Sequence, residues 1–199
     1  MQVHERETLN ALLDESRVGH VGITTDDHPV VIPTAIARDE DALLVHGSTG
    51  SGWMRLAARG APVCVAVTSL DGIVVARSTF ESTFHYRSAV IFGCFERLDG
   101  QRKERALDVI VEKLIPGRLI EVRPPSRGEL NKTMALSLPI EKWSLKVSNA
   151  WPDDDASDIA GPAWAGVVPI AQKTHAPRPA PDLRAGIRVP PSVAALNEP

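Results

Sequence analysis

The sequence predicts a mainly β protein, an antiparallel barrel of short strands with flanking helices. Short β-rich runs recur through residues 1–150, separated by turn chemistry such as Asp-Asp-His-Pro and Asp-Gly. Strands at this density favour a closed barrel, because closure hides the sheet edges. Helical periodicity is confined to a few unevenly spaced segments, which does not suit a parallel βαβ sheet. An apolar fraction of 43% with a net charge of -3 fits a chain that buries a core.

The elements follow in order. Residues 5–16 set Leu9, Leu12 and Leu13 at helical spacing, a short amphipathic helix. Residues 18–25, 30–38 and 42–46 read as a three-stranded meander. A glycine-rich loop at 47–52 leads into a helical segment at 53–59, ended by Gly60. Residues 62–69 and 73–80 read as a hairpin turning at Asp71-Gly72, with 81–87 as a polar interruption. Residues 88–98 form a strongly apolar strand. A helix follows from Gln101, with Ala106, Leu107, Ile110, Val111 and Leu114 on one face, stopped by Pro116-Gly117. Ser126 and Glu129 have capping-box spacing. Strands at 133–138 and 142–147 complete the first of two expected units, residues 1–150. Nine of the 16 prolines lie beyond it, in residues 151–199. That segment is expected to be an extended arm on the body or on a partner chain, since the apolar stretch AWAGVVPI argues against free disorder.

Composition excludes several classes. No apolar run reaches the ~20 residues of a membrane-spanning helix. The charged start, MQVHERE, does not read as a signal peptide, and the expected compartment is the cytoplasm. A pI near 6.1 gives no footprint for nucleic acid. Cys64 and Cys94 sit in apolar strand runs, read as small buried hydrophobes; a disulfide requires their strands to pair. Neither has metal-ligand spacing.

The segment HGSTGSGWMR, 46–55, carries the most chemistry. A strand-to-helix turn with small residues and hydroxyls exposes backbone N–H groups to an anion. It is not a P-loop, because Trp53 and Met54 follow Gly52 where Lys and Ser/Thr are needed. A dinucleotide fingerprint from Gly50 fails at Arg55, and a nucleophile elbow at Ser51 fails at Thr49. The alternative is an ordinary capped connector. Arg77, Tyr86 and Arg87 are the next candidates: arginine pairs with phosphate through two hydrogen bonds, and aromatic rings stack on planar groups. As rim residues they would instead carry solvated charges. His46 ends a strand at the glycine loop, a position suited to ligand contact. His85 lacks an evident partner, and Asp153–Asp155 read as a solvated turn.

Taken jointly, HGSTGS at 46–51, PVCVAVTSLDG at 62–72, ARSTF at 76–80, HYRSAVIFG at 85–93, PGR at 116–118, ELNKT, PIEKWSLKV at 139–147 and AWAGVVPI at 163–170 resemble the pyridoxamine 5'-phosphate oxidase-like, FMN-binding split-barrel proteins, in particular their nitroimidazole-resistance-type branch. The resemblance implies a six-stranded split barrel and a homodimer with FMN between subunits. It places the FMN phosphate at His46, Gly47, Ser48 and Ser51 with the helix start Gly52, Trp53 and Met54. Ile32, Pro33 and Thr34 would lie along the ring system, and Tyr86 and Arg87 would match the family's Tyr-Arg-Ser motif. One departure stands out: relatives commonly carry a basic residue after the position of Ser51, and here Gly52 occupies it, with Arg55 the nearest loop cation.

The resemblance therefore implies an FMN-dependent oxidoreductase acting on a small molecule, reduced by a nicotinamide cofactor or another donor. The alternatives are a flavin- or haem-binding protein without turnover, and a cofactor-less barrel serving as a binding module. No side chain stands out as a catalytic acid or base.

Overall fold

The computed structural model describes residues 2–197. Helix α1 (Gln2–Glu15) precedes strands β1 (Val18–Thr24), β2 (Pro29–Asp39) and β3 (Ala42–Ser48). Helix α2 (Gly52–Ala57) leads to β4 (Pro62–Val75), β5 (Thr83–Cys94) and β6 (Glu96–Leu98). Helices α3 (Gly100–Leu114) and α4 (Arg127–Lys132) precede β7 (Thr133–Pro139) and β8 (Lys142–Ser148). Beyond them lie α5 (Ala156–Ile159), β9 (Gly166–Pro169) and α6 (Pro191–Ala195).

The strands form one antiparallel sheet in the order β6-β7-β3-β2-β1-β4-β5-β8, with β9 added to β4. Strand β2 pairs with β1 through residues 29–35 and with β3 through 36–39, so the sheet turns along this strand. The sheet curls around a core but does not close as expected: its ends, β6 and β8, share no ladder. The described residues hold nine strands rather than six; two of the additions are β6, the continuation of the chain after β5, and β9, from the C-terminal segment.

Leu9, Leu12 and Leu13 of α1 are fully buried against Val21, Ile36, Val65, Ile91 and Leu136. Each such side chain contributes roughly 1.5–3 kcal/mol by leaving water. A second cluster forms where Ala106 and Ile110 of α3 meet Ala37, Leu44 and Ala135 on the other side of the sheet. The expected helical stripes thus supply both contacts. The Ser126 capping box is present: Ser126 Oγ accepts from the Glu129 amide at 3.3 Å, and the Ser126 amide donates to Glu129 Oε2 at 2.7 Å.

Three expectations are corrected in the β4–β5 region. Asp71-Gly72 is not a hairpin turn; β4 runs through it, with a register shift between Leu70 and Gly72 against β5. The reason is non-local. Asp71 is held by Ser69 and Arg87, and Gly72 lets β9 approach, since a Cβ there would lie 3.1 Å from Val167 Cγ1 and 3.2 Å from Val168 O. The turn falls instead at 76–82, where the Ser82 hydroxyl accepts from the Ala76 amide. Residues 83–87 are strand rather than interruption, pairing with 69–74. The run 88–98 is not one strand; it leaves β5 at Cys94 and joins β7 as β6.

The cysteines differ from expectation as well. Cys64 is half-buried and Cys94 exposed. Cys64 faces Phe92 and Cys94 faces Pro62, so the paired strands do not juxtapose the thiols.

Candidate functional site

The loop singled out in the sequence connects β3 to α2. Its backbone is tied down: the Thr49 amide donates to Lys132 O at 3.0 Å, the Ser51 amide to Ser48 O at 3.0 Å, and the Gly50 amide to Ser48 Oγ at 3.1 Å. Ser51 is the N-cap of α2, with extended backbone and no side-chain cap hydrogen bond. The first-turn N–H groups of Gly52, Trp53 and Met54 have no helical acceptor. A Cβ at Gly52 would meet nothing within 4 Å, so this end of the helix opens outward. Met54 is buried, and Trp53 packs half-buried on the same core as Val30 and Ile32. The structure thus brings the expected ring-side strand and the expected phosphate loop onto one body.

The cation missing at Gly52 has two nearby sources. Arg55 turns back, donating from Nη1 to Gly50 O at 2.9 Å. Lys132, which sequence reasoning passed over, ends α4 at the backbone bonded to Thr49, and its ammonium has no partner among the described residues. Only the fold places it beside the loop. An unfilled N-cap hydroxyl and open helix-end amides, with a lysine whose backbone is bonded to the loop, fit a phosphate group.

The other candidates separate. Arg77 donates from Nη1 to Asp154 Oδ2 at 2.8 Å and from its amide to Asp154 Oδ1 at 2.7 Å. The Asp154 side chain is only 1% exposed, so the acidic run is not the solvated turn expected; its middle member anchors the segment after β8. Arg87 is engaged by Asp71 and by Glu15 of α1. Tyr86 and Arg87 are adjacent on β5 and therefore point to opposite faces. Tyr86 instead sits under Lys146, whose Nζ is 5.5 Å from the ring centre. His85 Nε2 lies 2.9 Å from Ala150 O.

His46 pairs with Ala135 across β3 and β7, and its Nδ1 is buried without a hydrogen-bond partner. Burial pushes its pKa below the usual imidazole value, so the ring is neutral at pH 7. His20 pairs with Pro33 on one side and Ala66 on the other. It stands exposed on a sheet face that also exposes Val18, Val31, Leu70 and Phe92, with Val31 68% exposed. An apolar sheet face of this kind marks a surface made to be covered.

A curled antiparallel sheet with this loop-to-helix turn at its split is the architecture of the flavin-binding split-barrel proteins. The sequence model of the pyridoxamine 5'-phosphate oxidase family matches residues 5–147, and the chain belongs to that family. Among solved structures, the FAD and haem binding protein of Mycobacterium smegmatis superposes with a TM-score of 0.94 at 49% identity, over 96% of this chain and 95% of that one. A flavocytochrome from Azotobacter vinelandii matches with a TM-score of 0.89 at 32% identity, over 96% and 89% of the two chains. A 5-nitroimidazole antibiotic resistance-type protein of Bacteroides thetaiotaomicron shares the fold, with a TM-score of 0.60 at 18% identity over 70% and 82%. A search of curated proteins finds no match. No helix among the described residues is long and apolar enough to cross a membrane.

Proposed function

We propose that the chain is a flavin-dependent oxidoreductase that also carries haem and acts as a homodimer. The observation that carries this reading is the 49% identity over 96% of the chain to a protein that binds both groups. The unfilled Ser51 N-cap, the open α2 amides and Lys132 support a phosphate position at the β3–α2 turn, which serves FMN or the FMN half of FAD. The name of the Mycobacterium smegmatis relative, an FAD and haem binding protein, favours the dinucleotide.

When bound, a flavin supplies hydride and single-electron transfer. The chain's own residues supply position. Ser51 and the first turn of α2 fix the phosphate. Ile32 and Trp53 stiffen the adjoining wall by packing on the main core. Pro33, opposite His20, and Thr34 lie on the strand that would flank the ring. On the exposed sheet face, His20 would hold haem iron through its imidazole if haem is bound there. A second copy of the chain would cover Val18, Val31, Leu70 and Phe92 and complete both sites.

The test is the visible spectrum of the protein purified from cells supplied with riboflavin and haem precursor. The expected result is a flavin absorption together with a Soret band, with bleaching of the flavin on anaerobic addition of NADH or NADPH and recovery in air. Chromatography of the heat-released flavin separates FMN from FAD. A colourless preparation that gains no signal on titration with FMN, FAD or haemin overturns the reading in favour of a cofactor-less binding module. Light scattering on the same sample reads the dimer.

A further inference from the structure

The C-terminal arm builds a second cleft, away from the β3–α2 turn. Segment 172–174 and α6 close over the start of β1 and the end of α3, enclosing about 380 Å³. Three cations line this space: Arg17, Lys113 and Lys173. No carboxylate lines it. Arg17 and Lys173 have no partner among the described residues, and Lys113 reaches only Leu13 O, at 3.4 Å. The acids that act on Lys113 from outside the cleft are engaged elsewhere: Asp14 takes two hydrogen bonds from Arg38, and Glu15 is bonded to Arg87. Three cations thus face one cleft, with no carboxylate among its lining residues, in a protein whose net charge is -3.

The walls are fastened rather than draped. Ser192 is buried and bonded to Glu121 through both its amide and its hydroxyl. The Thr174 hydroxyl donates to Leu196 O, and β9 is laddered onto β4. Held this way, the backbone keeps the three cations around one cleft, where they repel one another and where partial burial already pushes the Lys113 pKa down. An anion in the cleft relieves both costs.

We propose that Arg17, Lys113 and Lys173 bind the phosphate group of a phosphorylated small molecule in this cleft. A planar guanidinium beside two ammonium groups matches a multiply charged phosphate better than a single carboxylate. This goes beyond the flavin reading, because different elements form the site.

Inorganic pyrophosphate is the probe, titrated calorimetrically into the full-length protein at low ionic strength. Saturable binding is expected. Arg17→Gln and Lys173→Gln, both at exposed positions, should each weaken it by roughly 5–10-fold, the loss of one charge-assisted contact. Repeating the titration on FAD-saturated protein distinguishes two sources of the phosphate: competition assigns the cleft to the dinucleotide's own diphosphate, and retained binding assigns it to a separate phosphorylated ligand. Absence of saturable binding, or equal affinity in wild type and both variants, overturns the proposal. Flavin content, read from the visible spectrum of the same samples, is independent of that outcome.

Discussion

Arg87 grips Asp71 with two parallel hydrogen bonds, Nε to Oδ2 at 2.8 Å and Nη2 to Oδ1 at 2.7 Å. The same guanidinium reaches Glu15 at the end of α1, so one side chain ties the helix to the bulge in β4. Hydrogen bonding to the arginine holds the Asp71 carboxyl below its usual range, and carboxylate contacts push the Arg87 pKa up. Because the folded-state pKa of Asp71 is depressed, its contribution is complete above the unfolded value near 4. It is lost as pH falls through the lower folded value.

Asp71→Asn should therefore cost about 1–2 kcal/mol at neutral pH, a partly exposed charge-assisted pair. It should also flatten the loss of stability below pH ~4. Urea denaturation across that range checks both. A variant with the wild-type acid slope would show that the Arg87–Asp71 pair does not govern it.

The arm is expected to come loose by a separate route. Hydrogen bonds from Ser192 hold the Glu121 carboxyl below its usual range. The latch is thus present above the ordinary carboxylate pKa and lost as pH falls through the depressed one. Glu121→Gln removes the charge at every pH, so the arm should be cleaved faster in limited proteolysis at neutral pH while the barrel fragment persists. Wild-type protein should show the same cleavage pattern only in acid.

Gly72 controls the other attachment. An alanine there would set its Cβ 3.1 Å from Val167 and 3.2 Å from a backbone carbonyl of β9, and a valine would collide outright. Gly72→Val should free β9 from β4 and raise amide exchange at 166–169 in hydrogen-exchange mass spectrometry. Unchanged protection in that stretch would show that the strand tolerates the side chain.

These contacts also explain how much was legible beforehand. The buried faces of α1 and α3 and the Ser126 box were readable because every partner lies within four residues or on one helical stripe. Most strands of the first 150 residues were readable from local composition. Asp71-Gly72 was misread because the dipeptide is identical in a hairpin turn and in a bulge; what decides between them is Arg87, 16 residues away, and Val167 on the arm. The exposure of Cys94 follows from where β5 leaves the sheet, which local apolarity does not encode. At the candidate site, the loop was visible as small residues and hydroxyls, but its cation was not. Lys132 is drawn to Thr49 by a backbone bond across 83 residues, and the cleft of Arg17, Lys113 and Lys173 gathers charges from three distant segments.

The β3–α2 turn admits a test that separates binding from folding. Ser51 is an N-cap with no side-chain cap bond. Aspartate is as good an N-cap as serine and favours the positive end of a helix. Ser51→Asp should therefore leave the thermal midpoint unchanged or slightly raised. The same carboxylate would stand against a bound phosphate, where like charges at about 4 Å repel by roughly 1–4 kcal/mol. Flavin affinity should fall by about five-fold to several hundred-fold. Lys132→Glu should weaken it in the same direction by reversing the charge of a residue whose backbone is bonded to the loop. Fluorescence-quenching titrations with FMN and FAD, run beside thermal melts, read both effects. Wild-type affinity in both variants would place the flavin phosphate elsewhere on the barrel.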